Sequence, residues 1–533
     1  MIENLLFPDI NETPEDIINK YPRRNPWTVV TRIAPSPTGF LHIWAVYSAM
    51  LDKIIAHKNN WVFFLRIEDT DQKREVEWAA HKYVDILKQF WLFFDEGPVW
   101  EDYKDVWIYW PYTQSQRENI YKVFIKDLVK KWFAYPCFLT EDEITQTREI
   151  QEASKLPTGI YKEYSPWRFA TEEEVIKALD EWRQFVIRLK SKWEISRKID
   201  LVDIIKWKIT SGENFLDIVI CKSTGIPTYH FAHLIDDYLM WTTHVIRWDE
   251  WFASLPLHLE LFNMMSWQAP KYAHYWPLVK LDWNGKRKLS KRKDPEADVE
   301  YYFKAWYLIE SILDFLSNII NSGFEDWRKQ NPTASYLDYD FKFEKINTAG
   351  ALVDMDKLNF VNSHIIKNME TDKLYEKFIA YLENYDVDLL SKLAYFPEEY
   401  NKKILGELKT KIRKFDEFND NSFFFYTDSA IPSHELLLNE KMKINDLDTV
   451  YKALNLALDI LKSRTWDFES IIEVKDIFVE KIIEADMKNG QVLWPVRCAL
   501  SWEQFSPGAL ELIYILWIEK SIYRLQKVLD NIL

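Results

Sequence analysis

The chain has 533 residues, 47% hydrophobic and 28% charged, with a formal charge of −15, the profile of a multidomain globular protein with a sizeable core. Apolar runs such as Leu512 to Ile518 fall far short of the ~20 residues that span a bilayer, no basic-then-apolar leader opens the chain, and Cys137, Cys221 and Cys498 are too scattered for a disulfide framework or a zinc pattern. A cytoplasmic monomer with no membrane partner and no zinc is expected. The acidity argues mildly against nucleic acid, but a local basic stripe can dock RNA on an acidic surface.

Residues 1–26 are polar without a clear period and read as an extension, a disordered or loosely packed arm. Val29, Val30, Ile33 and Ala34 read as the end of a buried strand. Pro35 and Pro37 then impose an extended turn, Gly39 lets the chain bend closely, and a helical pattern follows at Leu41, Val46, Ala49 and Met50. Strand, tight turn and helix point free backbone N–H groups at a phosphate, and His42 falls in the first helical turn beside them. Val62 to Ile67 is a second buried strand, running into Glu68-Asp69-Thr70-Asp71 and Arg74. Open α/β sheets bind ligands at the carboxyl ends of such strands, and an acidic cluster there can receive an amine.

Residues 106–224 read as an insertion, with a helix at Ile120, Val123, Phe124, Leu128 and Val129 and a strand over Phe185 to Lys190. Residues 225–267 return to the sheet. His230 and His233 lie three apart on a helix, followed by Asp236 and Asp237; a shared face allows a metal reading, while pocket lining and packing is the plainer one. His244 to Arg247 is a strand ending in a cation, with Trp251 on a helix beyond. Arg247 and Arg32 suit a carboxylate ligand, because the guanidinium fork donates parallel hydrogen bonds. Six of the ten residues 285–294 are cationic, by default a nucleic-acid patch or a solvated loop. A helix is expected from Leu308 to Ile320, and from about 361 onward the periodicity is helical.

The stretch from Thr31 to Ala45 resembles the "HIGH" signature of class I aminoacyl-tRNA synthetases. Pro-Ser-Pro-Thr-Gly-x-x-His-Ile resembles the glutamyl-tRNA synthetase form, which lacks the second histidine, as Ala45 does here. Arg-Ile-Glu-Asp-Thr-Asp-x-x-Arg matches that family's second fingerprint. Gly97-Pro98 with Trp110 to Arg117 resembles its "GPYxQSxR", and Lys288-Leu289-Ser290-Lys291-Arg292 its "KMSKS". Asp354 to Asn362 and Gly490 to Leu500 resemble later family motifs. The two signatures stand about 245 residues apart in the right order.

The resemblance implies an α/β fold: a Rossmann-type parallel sheet with an inserted acceptor-binding domain and an all-α anticodon-binding region. The implied divisions are residues 1–26, an extension; 27–105 and 225–267, the two catalytic halves; 106–224, the insertion; 268–360, a stem-contact region with the KMSKS-like loop; and 361–533, the helical region. It implies a glutamate–tRNA ligase that uses ATP with Mg²⁺, L-glutamate and tRNA(Glu). Ser36, Gly39, His42, Lys288, Ser290, Lys291, Arg292 and the backbone at Trp44 would serve the nucleotide. Arg32, Ala34, Ser36, Glu68, Tyr229, His233, Arg247 and Trp251 would serve glutamate, Glu68 taking its amino group. Related enzymes often have Asn at position 233. The rival readings are a glutaminyl-tRNA synthetase, whose C-terminal part would be β-barrels, and a non-catalytic tRNA-binding relative disabled at Trp44.

Composition departs from the ordinary in one respect. Glycine numbers 11 and tryptophan 25, glycine being about 2% against a usual ~7%. Trp110 precedes Pro111 in a turn, Trp248 follows a strand, and Trp283 sits in Asp-Trp-Asn-Gly, where turns want glycine. Against the family pattern, Trp44, Trp61, Trp78, Trp91, Trp110, Trp132, Trp182, Trp241, Trp248, Trp306, Trp502 and Trp517 stand on glycine positions, whereas Trp251 and Trp267 match family tryptophans. The expectation is a source that reads UGA as glycine; the alternative is a lineage that accumulated tryptophan.

Overall fold

The computed structural model describes residues 2–37, 41–57, 61–70, 79–98, 105–106, 109–283, 285–290, 292–346, 350–427 and 430–532. They form two compact units, one of Met1–Tyr301 with Leu316–Val353, the other of Tyr302–Phe315 with Asp354–Leu533.

The first unit is built on parallel strands. Val30–Ile33 pairs with Val62–Leu65, Val30 opposite Val62 and Ile33 opposite Leu65. His244–Trp248 pairs in parallel with Lys271–Tyr275. A backbone bond from Thr243 N–H to Val30 O, 3.0 Å, joins the two pairs. All four residues of Val30–Ile33 are buried, as expected of a parallel strand covered on both faces. The helix Ile43–His57 packs on this strand and buries eleven of its fifteen residues. Inserted between the halves is an antiparallel sheet of Ala134–Cys137, Val186–Leu189 and Val219–Cys221. The hairpin Leu278–Asp282 with Gly285–Lys288 presents the basic segment. In the second unit, helices follow one another from Met355 to Ile532 with no paired strand among the described residues beyond an isolated bridge, Asn439 to Ile444.

The N-terminal arm corrects the expectation of a loose segment. Thr13 and Asp16 form a capping box at the start of helix Pro14–Lys20, satisfying two otherwise orphaned N–H groups. Ile2, Leu6, Phe7, Ile10, Ile17 and Tyr21 join the core that contains Tyr121, Phe124 and Leu128. Arg24 binds Glu96 through both guanidinium nitrogens, at 2.7 and 2.6 Å. The apolar positions lie too far apart in too short a stretch to show a helical period, and their partners lie about a hundred residues on.

Among the described residues nine tryptophans have φ between 48° and 64°: Trp91, Trp132, Trp182, Trp193, Trp207, Trp241, Trp306, Trp502 and Trp517. Five of them end helices in the same way. The N–H of residues 91, 132, 182, 241 and 306 bonds back three residues, and the next N–H bonds back five, at 2.8–3.3 Å. That is the Schellman closure, whose left-handed residue is usually glycine. A Cβ in this conformation costs roughly 1–2 kcal/mol per residue. Nine such costs together rival the ~5–15 kcal/mol by which a folded domain is stable.

Candidate active site

The carboxyl ends of the parallel strands open onto a cavity of about 690 Å³. The first strand supplies Arg32, and the turn after it Ala34, Ser36 and His42. The second supplies Glu68 and Thr70. The strand His244–Trp248 supplies Arg247 and Trp248, with Trp251 just beyond. Helix Tyr229–Leu239 adds Tyr229, and helix Ile43–His57 adds Trp44 and Asp52. Arg32, Ala34, Ser36, His42, Trp44, Glu68, Tyr229, Arg247 and Trp251, scattered over some 220 positions of the sequence, thus line one space. Gly39 and Lys291, with Asp71, Arg74 and Trp78, lie outside the described residues.

His233 is not in the lining. It lies behind Tyr229, the two rings stacked at 5.6 Å and 11°, with Nδ1 2.9 Å from Asp237 Oδ2. Burial lowers its pKa to about 4 against the opposing pull of Asp237, so the ring is neutral at pH 7.

Beneath the cavity is a buried ionic floor. Arg66 donates to Asp237 at 2.7 Å and to Glu68 at 2.9 Å. Arg32 Nε donates to the same Asp237 oxygen at 3.3 Å. Asp236 receives Arg117 at 2.6 Å, Tyr121 at 2.8 Å and Gln114 at 2.9 Å. Burial opposes the charge on Asp237, but the cations Arg32 and Arg66 outweigh it and hold the carboxyl well below its usual range. Glu68 is tipped the other way: burial raises its pKa against Arg66 and Arg32. Arg66 and Asp237 were not among the expected site residues. The signal was present, since a cation in a buried strand needs a buried anion and Asp236-Asp237 is the acidic pair on the returning helix.

Arg247 is held differently. Nε donates to His274 Nε2 at 2.9 Å, Nη1 meets His258 Nδ1 at 3.0 Å, and Nη2 donates to Trp251 O at 3.3 Å. None of these partners carries a negative charge, so the full positive charge remains for a ligand.

The other end of the cavity is crowded. Trp44 is buried and its Nε1–H finds no acceptor among the described residues. Its ring meets that of Trp248 at 3.6 Å between centroids and 80° between planes, whereas aromatic pairs keep about 4.5–7 Å. Lys288 Nζ lies over both indoles, at 4.6 and 4.8 Å, and pairs with Glu250. The two sequence signatures therefore meet at residue 44. The basic loop is clipped at its base: Arg287 holds Asp294 with two bonds of 2.6 and 2.7 Å, and Asp294 also accepts the Ser290 N–H at 2.8 Å. Arg292 is exposed.

Comparison with known proteins agrees with this geometry. Residues 28–358 match the model of the class I tRNA synthetase (E and Q) catalytic domain, and residues 373–529 that of an anticodon binding domain. The chain is 38% identical to the glutamate–tRNA ligase of Clostridium perfringens (strain SM101) and 37% to that of Clostridium beijerinckii, over 99% of each chain. Among solved structures it resembles a glutamate tRNA ligase from Elizabethkingia meningosepticum in complex with its amino acid. The TM-score there is 0.80 at 28% identity, covering 95% of this chain and 100% of that one. A glutamate-tRNA synthetase from Elizabethkingia anophelis matches with a TM-score of 0.78 at 29% identity, covering 94% and 100%. Taken together, these matches show that the chain belongs to the glutamate–tRNA ligase family of class I tRNA synthetases.

Proposed function

We propose that this chain joins L-glutamate to tRNA(Glu) in two steps at the cavity just described. In the first, an oxygen of the glutamate α-carboxylate attacks the α-phosphorus of ATP and pyrophosphate leaves, giving glutamyl-adenylate. In the second, a hydroxyl of the terminal ribose of tRNA attacks the glutamyl carbonyl and AMP leaves. The observation that carries this reading is the pairing of Arg247 and Arg32 with Glu68 in one cavity: two cations for an amino acid with two carboxylates, and an anion for its ammonium. Desolvated carboxylates need such partners.

No covalent protein nucleophile is required, and positioning with charge stabilisation carries the rate. The turn from Ala34 to His42 receives the phosphates on its backbone. Lys288 and Lys291 neutralise the charge that grows on departing pyrophosphate, and closure of their loop completes the site. Mg²⁺ enters with the nucleotide. Among the described residues no group of three His, Cys, Asp or Glu side chains is set to hold a metal, and no step here passes through the ion. A helical second unit disfavours the glutaminyl reading, which calls for β-barrels.

One observation favours a different reading. An indole at position 44 fills the ground where the nucleotide would lie, and a chain made with it would bind tRNA without activating glutamate. Pyrophosphate exchange with ATP, glutamate and tRNA separates the two. Exchange is expected; its absence from protein carrying glycine at position 44 would reject the ligase reading.

A further inference from the structure

We propose that the protein made in its source carries glycine at Trp44 and at each of the nine left-handed tryptophans, the codon UGA being read there as glycine. The backbone supports this independently of any family pattern. Tryptophan is bulky and enters positive φ only as an outlier, yet among the described residues nine of the fourteen non-glycine residues with positive φ are tryptophan. Five occupy the helix-ending position that glycine fills most often, while none of the described positive-φ glycines does. Trp517, at φ 54° and ψ 166°, borders a region that is essentially glycine's own. Trp193 and Trp207 join the set on backbone angle alone, with no sequence motif to mark them.

Side-chain surroundings separate two populations. Trp182 is 92% exposed at a helix end and Trp283 fully exposed in a turn, although indoles normally bury most of their surface. Trp44 is driven into Trp248. In contrast, Trp267 stacks flat on Tyr238 at 2°, Trp251 packs on Tyr229 at 4.4 Å, and neither has positive φ. A lineage that merely accumulated tryptophan would not sort it by backbone angle.

The test is peptide mass spectrometry of the protein purified from its source. Peptides spanning residues 182, 241 and 306 are expected to weigh as glycine, and those spanning 251 and 267 as tryptophan. Tryptophan at 182 or 241 overturns the proposal, as would UGG codons at the nine positions. The result stands whether or not the ligase reading does, because no activity is measured.

A second inference rests on the hydrogen bonds around Arg247. The geometry points to Asp203, His274 and His258 as positioning residues for that guanidinium. Asp203 accepts the Ile205 and Lys206 N–H groups, each at 2.9 Å, and meets His274 Nδ1 at 2.6 Å. His274 Nδ1 is thereby the protonated nitrogen, and Nε2 presents its lone pair to Arg247. Arginine has donors and no acceptor, so His258 must likewise offer Nδ1 as a lone pair. Its Nε2–H then donates to His230 Nδ1, 3.0 Å away. Two neutral imidazoles therefore fix the plane of Arg247 without neutralising it.

This second inference rests on glutamate being the ligand of Arg247. His274→Leu is expected to raise the KM for glutamate at least tenfold with the KM for ATP unmoved, and His274→Gln, which keeps an acceptor, to restore it to within a few fold. His258→Leu is the parallel variant, with thermal unfolding measured on each. Unchanged glutamate KM in both Leu variants, or equal rises for ATP and glutamate, overturns the positioning role. Failure of the unmutated protein to bind glutamate would count against the ligase reading instead.

Discussion

The two ends of the cavity are finished to different degrees. At the end proposed for the amino acid, Arg66 and Arg32 converge on Asp237, Asp236 takes three donors, and Arg247 is braced by His274, His258 and the Trp251 carbonyl. At the end proposed for the nucleotide, two indoles collide beneath a lysine and one carries a buried N–H with no acceptor among the described residues. The fold is one and the same, so the contrast lies in the residues set into it. Where the printed residues suit their places, a buried polar network closes; where they do not, the packing reports it.

The contrast breaks most visibly at position 44. Protein with glycine there is expected to catalyse pyrophosphate exchange, and tryptophan restored at that single position to bring exchange down to background; equal rates in both would mean that the indole does not occupy the nucleotide's ground. The two arginines sharpen the amino-acid end. Arg247→Ala is expected to cost about 2–5 kcal/mol of glutamate binding with little loss of stability, since its partners are uncharged. Arg32→Ala removes one of the cations facing buried Asp237 and is expected to destabilise the fold by up to ~3–5 kcal/mol. Calorimetric titration with glutamate and thermal unfolding separate these outcomes.

Smaller effects are expected at Lys291 and Glu68. Lys291→Ala is expected to slow activation roughly 10²-fold, in the range lost with a single transition-state donor, while tRNA affinity changes little; equal losses in both would contradict the role. The smallest effect is on pH. Burial lifts the pKa of Glu68, and its carboxylate form is the one proposed to receive the substrate ammonium. The KM for glutamate should therefore fall as pH rises through that raised pKa, and Glu68→Gln should flatten the profile.

Much of this was legible because local chemistry and global fold agree. The strands over 30–33 and 62–65 announce themselves by continuous apolar runs, and the turn after the first by its prolines. Arg32, Glu68, Tyr229 and Arg247, which line one cavity, stand in motifs whose chemistry drew them together on paper. What stayed hidden depends on distance. Asp203, His258 and His274 look like isolated polar residues until the sheet brings them against Arg247. The packing of the first 26 residues depends on a helix, Glu118–Lys130, that no local pattern connects to them. His233 fell on the right helix and one layer too deep.

The floor of the cavity also sets an order on synthesis. Arg66 and Arg117 leave the ribosome well over a hundred residues before Asp236 and Asp237, the carboxylates that neutralise them in the finished interior. Until that acidic pair emerges, neither guanidinium can be enclosed without a heavy solvation penalty. The amino-terminal portion must therefore wait, hydrated and open, and the crevice closes only when the helix Tyr229–Leu239 arrives. A nascent chain stalled short of that helix would have the motifs of its first two strands and no closed floor beneath them.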